Sequence, residues 1–133
     1  MAYSIEMRIL FCAIALGIFQ LLLSVSFNVA GRGLSYGIGP RDEPPKPLGK
    51  VASRIERAYR NFLETFAFFA VAVLLGQAVG RSTAISALGA WLYIVARIFY
   101  LPAYVAAVPV ARTLLWAASI LGIAMVMTAV WPG

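Results

Sequence analysis

The chain has 133 residues, a formal net charge of +6 and a hydrophobic fraction of 62%. Ordinary globular domains are only about 45–50% apolar, so the composition excludes a soluble protein and predicts a single integral membrane domain, residues 1–133. Seven of the eleven basic residues lie between Arg32 and Arg60, squeezed between two apolar runs, which is typical of a cytoplasmic loop and argues against a nucleic-acid partner.

The absence of histidine and the single cysteine limit the kinds of catalytic and metal site that the chain can form. The chain has no histidine, which removes histidine acid–base catalysis and nearly all transition-metal sites, and we expect no metal. Its one cysteine, Cys12, lies inside the first apolar run and is expected to be an inert packing residue.

Four apolar stretches predict an all-α integral membrane four-helix bundle. A bilayer core of about 30 Å needs spans of about 20 residues, and the backbone in lipid permits only helices or a closed barrel. These runs are too long for barrel strands. The predicted helices cover residues 7–29, 51–79, 83–107 and 110–131.

The first helix carries a polar stripe whose members are four residues apart, namely Gln20, Ser24, Asn28 and Arg32. Such a stripe lies on one helical face. The loop that follows, residues 30–50, is rich in glycine and proline, so it is predicted to form turns and extended segments without a helix.

The second helix opens with the segment RIERAYRNFLE, residues 54–64. Arg54, Arg57, Asn61 and Glu64 follow the helical face period in it. A charged side chain well inside a bilayer costs roughly 2.5–3.5 kcal/mol, so Glu64 indicates either a functional site or a brace between helices.

The third helix carries the stripe Tyr93, Arg97, Tyr100 and Tyr104. Arg97 lies deepest in the apolar run and needs a partner, for which we expect Glu64. For that pair a structural brace is at least as good an interpretation as a binding role, because charges inside membranes are paired whatever they do. Tyr93 is expected to be an ordinary packed aromatic residue.

Short connections around residues 80–82 and 107–109 predict antiparallel neighbours, which brings several polar side chains to one membrane face. They are Arg32, Arg54, Arg57, Arg112, Asn61, Tyr100 and Tyr104. Four arginines on one face suit an anionic ligand with carboxylates, and they would lower the pKa of a thiol on that ligand.

The distribution of Lys and Arg also predicts an orientation. The first loop and its edges are strongly basic, whereas the opposite side has only Arg8 and Arg81. The positive-inside rule then puts the first and third loops in the cytoplasm and both termini outside. We expect a multi-pass protein of a bacterial inner membrane.

Two motifs carry a resemblance to a known family. RIERAYRNFLETFAFF resembles the second-helix signature R-x-x-R-A-x-x-N-x-x-E of the MAPEG family, the membrane-associated proteins in eicosanoid and glutathione metabolism. YIVARIFYLPAY, residues 93–104, resembles the third-helix motif of the same family. The chain is thus similar to a bacterial-type member over nearly its whole length.

The resemblance implies a homotrimer among membrane lipids, with glutathione as co-substrate bound between adjacent protomers near the cytoplasmic face. The glutathione contacts it implies are Arg54, Arg57, Asn61, Glu64, Tyr100, Tyr104 and Arg112. Arg32 would be catalytic, stabilising the thiolate, and Arg97, Tyr93 and Asn28 would support the site. The implied activity is that of a glutathione transferase or peroxidase acting on lipophilic electrophiles or lipid peroxides.

Two other interpretations stay open. A non-catalytic membrane scaffold or lipid-binding protein could keep the same fold, because function lies in the site and not in the fold. A small transporter has less support, since the sequence shows no evident inverted repeat or broken helix.

Overall fold

The chain folds into an antiparallel bundle of helices. The computed structural model describes residues 3–132, and these contain no strand. The helices are α1 (Ile5–Arg32), α2 (Leu34–Ile38), α3 (Lys50–Ala78), α4 (Ala84–Val105) and α5 (Pro109–Met127), followed by a 3₁₀ turn, Thr128–Val130. All but α2 are long and apolar enough to cross a membrane. The all-α fold with four spans is therefore confirmed.

Local sequence explains where the spans begin. The Ser4 hydroxyl caps α1 by accepting a hydrogen bond from the Met7 amide at 3.3 Å. Thr83 and Ser86 form a reciprocal capping box at the start of α4. Pro109 occupies the first turn of α5, where its missing N–H costs nothing.

The first loop departs from its prediction, because residues 34–38 form the short helix α2. Helix α1 runs three residues past its predicted end, and Gly33 stops it with a φ of +88°, a conformation that glycine adopts without strain. The chain then makes one further turn, closed by the Gly39 amide donating to the Ser35 carbonyl at 3.0 Å. The expectation of no helix was wrong because glycines at both ends permit a single turn between them.

Helices α4 and α5 approach each other most closely, at two glycines. A Cβ added to Gly89 would lie 2.6 Å from the Gly122 carbonyl oxygen, and one added to Gly122 would lie 2.6 Å from the Gly89 carbonyl oxygen. Small residues permit this backbone contact in membrane bundles. Next to it, the Phe69 and Tyr93 rings stack with centroids 4.0 Å apart in the core.

The bundle has two chemically different ends. The basic end carries the first loop, the start of α3 and the α4–α5 turn; the opposite end carries the start of α1 and the α3–α4 turn. At the opposite end the Glu6 carboxylate is only 5% exposed. It accepts hydrogen bonds from the Ser82 hydroxyl, at 2.9 Å to each oxygen, and from the Ser86 hydroxyl. These bonds join α1 to the start of α4.

The outer surface of the spans is apolar. Large side chains such as Phe11, Phe68 and Leu114 are more than half exposed, as expected for surfaces that face lipid or another copy. Cys12 also lies on this exposed surface. The expectation that it is a packing residue inside the bundle was wrong, since it points away from the buried face of α1.

Candidate functional site

A cavity of about 500 Å³ lies at the basic end, and six of the polar side chains that line it are predicted site residues from three helices. We call this set the tyrosine–arginine face: Arg57, Asn61 and Glu64 from α3, Tyr100 and Tyr104 from α4, and Arg112 from α5. The helical face period that predicted each stripe thus brings two stripes together across α3 and α4.

Tyr104 is the centre of this face. The Arg57 Nε donates a hydrogen bond to the Tyr104 hydroxyl at 3.2 Å. The Arg57 and Arg112 guanidinium carbons lie 5.9 Å and 5.0 Å from the centroid of the Tyr104 ring. Both distances allow cation–π attraction. The Tyr104 side chain therefore holds two arginines from different helices at one cavity.

Arg54 lines an adjoining cavity of about 310 Å³ that shares Arg57, Tyr104 and Arg112 with the first. Its Nη1 donates to the Val105 carbonyl at the end of α4, at 3.0 Å. That bond satisfies one of the carbonyl groups that a helix end leaves free. All seven residues expected to contact glutathione therefore lie at two contiguous cavities.

Arg97 does not form the expected ion pair with Glu64. Its Nη1 donates to the Asn61 side-chain oxygen at 2.8 Å, and no carboxylate lies within 4 Å of it among residues 3–132. Its guanidinium carbon sits 4.9 Å from the Tyr100 ring centroid. Asn61 takes the inward position one turn before Glu64, and Glu64 is exposed on the cavity side. Arg97 thus contacts Asn61 and Tyr100 from the buried side of the cavity wall and holds both side chains in position.

Tyr93 lies in the core, away from the cavity. It is fully buried, stacks on Phe69, and its hydroxyl is 3.4 Å from the Thr65 hydroxyl. Its ring lies 5.9 Å from the Arg97 guanidinium carbon. Tyr93 therefore supports the layer that holds Arg97, as an interior packed residue.

Arg32 and Asn28 are not on the tyrosine–arginine face of their own chain. The Arg32 Nη1 donates to the Asn28 side-chain oxygen at 2.7 Å, and its Nε donates to the Lys46 carbonyl at 3.1 Å. Both side chains line a separate cavity beside the first loop. Within one chain, therefore, the structure does not bring Arg32 to the other predicted site residues.

The electrostatics of the face favour an anion. Arg112 lies in the first turn of α5, whereas Arg54 and Arg57 lie in the second and third turns of α3. Helix N-termini carry partial positive charge, so cations there raise the local potential. Glu64 is the one carboxylate that lines the cavity, facing Arg57, Arg60 and Arg112. A ligand with carboxylate groups would gain forked hydrogen bonds and lower this positive potential.

Sequence reasoning missed three residues that line the main cavity, namely Arg60, Thr113 and Trp116. Arg60 is three residues after Arg57, and Trp116 is four residues after Arg112, so the face period could have indicated both. Thr113 donates its hydroxyl to the Pro109 carbonyl at 2.9 Å, and no spacing pattern singled it out.

Comparison with known proteins gives one match. The family model described as MAPEG family matches residues 9–131, which includes every residue of both cavities. No curated protein and no solved structure matches the chain.

Proposed function

Because the chain belongs to the MAPEG family, we propose that this multi-pass membrane protein is a glutathione-dependent transferase or peroxidase. Its substrates would be lipophilic electrophiles or lipid peroxides. One observation carries the proposal: Arg57 and Arg112 flank Tyr104 at an open cavity, and neither guanidinium has a carboxylate within 4 Å among the described residues.

Glutathione offers the groups that this face would recognise. It has two carboxylates, an ammonium group, two amides and a thiol. Arg57 and Arg112 suit the carboxylates, since a guanidinium donates in a fixed fork. Glu64 is exposed and without an ion pair among residues 3–132, so it suits the ammonium group. Tyr100 and Tyr104 supply hydroxyl groups for the peptide carbonyls.

The catalytic role proposed for Arg32 requires more than one copy of the chain. Arg32 lines a cavity that shares no residue with the tyrosine–arginine face. In a homotrimer, Arg32 of one copy would reach the thiol of glutathione bound at the face of the next copy. The exposed apolar side chains of the spans support such packing.

The proposed chemistry uses the thiol of the ligand as the nucleophile. An adjacent guanidinium lowers the pKa of a thiol and raises the thiolate fraction. In the transferase reaction the sulfur forms a bond to an electrophilic carbon, and the leaving group departs with the electron pair. In the peroxidase reaction the sulfur attacks a peroxide oxygen, an alcohol is released, and a second glutathione converts the sulfenic acid to disulfide and water.

Binding of glutathione to purified protein in detergent tests the proposal. The unmodified protein should show a rise in unfolding temperature with millimolar glutathione, whereas Arg57→Ala and Glu64→Ala should show none. Arg8→Gln is the matched control, because Arg8 is exposed near the opposite end. If the unmodified protein shows neither a shift nor conjugation of an aromatic halide, the non-catalytic scaffold is the better account.

We also propose that the basic end faces the cytoplasm of a bacterial cell and that the protein lies in the inner membrane. Eight basic residues mark that end, namely Arg32, Arg41, Lys46, Lys50, Arg54, Arg57, Arg60 and Arg112. In a Cys12→Ala background, a cysteine at Ser35 should react with a membrane-impermeant maleimide only after the cells are opened. Reaction in intact cells would reverse the orientation.

A further inference from the structure

One ion pair joins two cavities at the basic end. Arg60 lines the main cavity, which carries the tyrosine–arginine face. Glu56 lines a second cavity, of about 440 Å³ between the end of α1 and the first loop, which we call the loop-one cavity. The Glu56 Oε1 lies 3.9 Å from the Arg60 Nη2, and no other ion pair within 4 Å occurs among residues 3–132. Because the two cavities share no lining residue, this pair is a direct side-chain link between them.

The pair is weak enough to exchange partners. The Arg60 side chain is 72% exposed and the Glu56 side chain is 33% exposed. An exposed ion pair at (i, i+4) on a helix changes an equilibrium constant by only about twofold. Their separation is also well beyond the length of a charge-assisted hydrogen bond, about 2.7–2.9 Å. A ligand carboxylate that reaches Arg60 with forked geometry would therefore displace Glu56.

The loop-one cavity offers Glu56 a second partner. Arg32 and Arg41 also line it, and neither has a carboxylate within 4 Å among the residues that the structure describes. Arg32 already donates two hydrogen bonds, whereas Arg41 donates one, to the Gly37 carbonyl at 3.0 Å. Since a guanidinium has five N–H donors, Arg41 keeps more of them free. Once released from Arg60, Glu56 would therefore pair with Arg41.

The first loop can move with the Arg41 side chain. Residues 39–49 form neither a helix nor a strand. Arg41 has a φ of +59°, a left-handed conformation that is unfavourable for any residue with a Cβ. Segments with few internal hydrogen bonds rearrange at little cost in free energy. A new ion pair between Arg41 and Glu56 would therefore draw the loop towards α3.

We propose that the Glu56–Arg60 pair is a switch that couples the two cavities. A ligand carboxylate at Arg60 releases Glu56, Glu56 then pairs with Arg41, and the first loop closes over the loop-one cavity. A ligand shifts such an equilibrium only through a contact that differs between the two states. Here that contact is the one between the carboxylate and Arg60, which forms only after Glu56 has left. This inference rests on the proposed function, because it makes glutathione the ligand that takes Arg60.

Labelling of a cysteine placed at Gly37 measures the closure. Gly37 lines the loop-one cavity, and a Cβ there would meet nothing within 4 Å. In a Cys12→Ala background, adding Arg60→Gln to Gly37→Cys releases Glu56 without any ligand. N-Ethylmaleimide should then react about threefold more slowly, because a new exposed pair that favours the closed loop about twofold leaves about a third of the molecules open. Adding Glu56→Gln as well should restore the rate.

Lys50→Gln is the matched control for the loss of a positive charge. Lys50 is exposed at the same end but lines neither cavity, so its replacement should leave the labelling rate unchanged. An equal rate in Arg60→Gln and Lys50→Gln would overturn the switch. A slow rate in Arg60→Gln that persists after Glu56→Gln is added would also overturn it.

The ligand arm uses S-methylglutathione, which keeps both carboxylates but has no thiol to react with the maleimide. It should slow the labelling of Gly37→Cys, and Glu56→Gln should abolish that slowing. A rise in unfolding temperature with S-methylglutathione and no change in labelling would contradict the switch. Slow labelling of ligand-free Arg60→Gln, restored by Glu56→Gln, supports the switch even if S-methylglutathione has no effect at all, and that result would count against the proposed function alone.

Discussion

Replacing Gly89 by alanine tests the closest contact in the bundle. The added Cβ would lie 2.5 Å from the Met125 Cβ and 2.6 Å from the Gly122 carbonyl oxygen. Carbon atoms pack at about 3.5–4.0 Å, so α4 and α5 would have to move apart by about 1 Å. The backbone atoms of α5 can move away only if the whole helix moves with them. Overpacking of this kind costs about 1–3 kcal/mol.

The higher helix propensity of alanine limits the size of this loss. Alanine favours a helix over glycine by up to about 1 kcal/mol, so the net destabilisation should be about 1–2 kcal/mol. Gly122→Ala makes the reciprocal clash, 2.6 Å from the Gly89 carbonyl oxygen. Since both changes strain one contact, the double variant should lose less than the sum of the two single losses.

Thermal unfolding in detergent at one scan rate measures the effect. We expect Gly89→Ala to unfold about 3–10 °C lower than the unmodified protein. Gly37→Ala is the matched control, because a Cβ there would meet nothing within 4 Å. Glutathione affinity should hold within about twofold, since Tyr104 lies 15 residues along α4, or about 22 Å away. An unfolding temperature equal to that of Gly37→Ala would refute the close approach of α4 and α5.

Two further predictions concern the two ends of the bundle. Tyr104→Phe removes the hydroxyl that accepts from Arg57 but keeps the ring between two guanidiniums, so glutathione affinity should fall about three- to tenfold in calorimetric titration. Tyr104→Leu also loses the ring and should fall further; equal losses would contradict the role of the ring. Glu6→Ala removes the hydrogen bonds that the Ser82 and Ser86 hydroxyls donate to a charged carboxylate and should destabilise the protein by about 1–3 kcal/mol in thermal unfolding, whereas Glu43→Gln in the exposed loop should not. Glutathione binding in Glu6→Ala should stay normal at temperatures where the variant is folded, and its loss there would contradict the separation of the ends.

The features that depend on a single helix could be predicted from the sequence. Apolar runs of span length predicted α1, α3, α4 and α5, because a bilayer sets the length of each span independently of its neighbours. The period of 3.6 residues likewise predicted which polar side chains share a face. The single turn of α2 was missed, since its five residues are too few for a periodic signal.

The contacts between helices were harder to predict. Asn61 and Glu64 are three residues apart, so the face period puts both on roughly the same side of α3. Which of them meets Arg97 depends on how α3 is rotated against α4, and the rotation is set by packing on both helices. A preference for opposite charges pointed to Glu64, whereas the neutral side-chain oxygen of Asn61 accepts the hydrogen bond from Arg97. The separation of Arg32 from the other arginines likewise depends on tertiary packing.

The bond between Arg32 and the Lys46 carbonyl has a consequence for how related sequences should vary. A main-chain oxygen is common to every amino acid, so position 46 can drift in residue type while the bond is kept. What holds that oxygen in place is the spacing of the loop and the fixed φ angles of Pro44, Pro45 and Pro47. Substitutions at position 46 should therefore be tolerated, whereas a deletion of one residue in this stretch should not. Selection here should act on the length of the loop and the positions of its prolines. It should not act on the residue type at position 46, although that residue makes the contact.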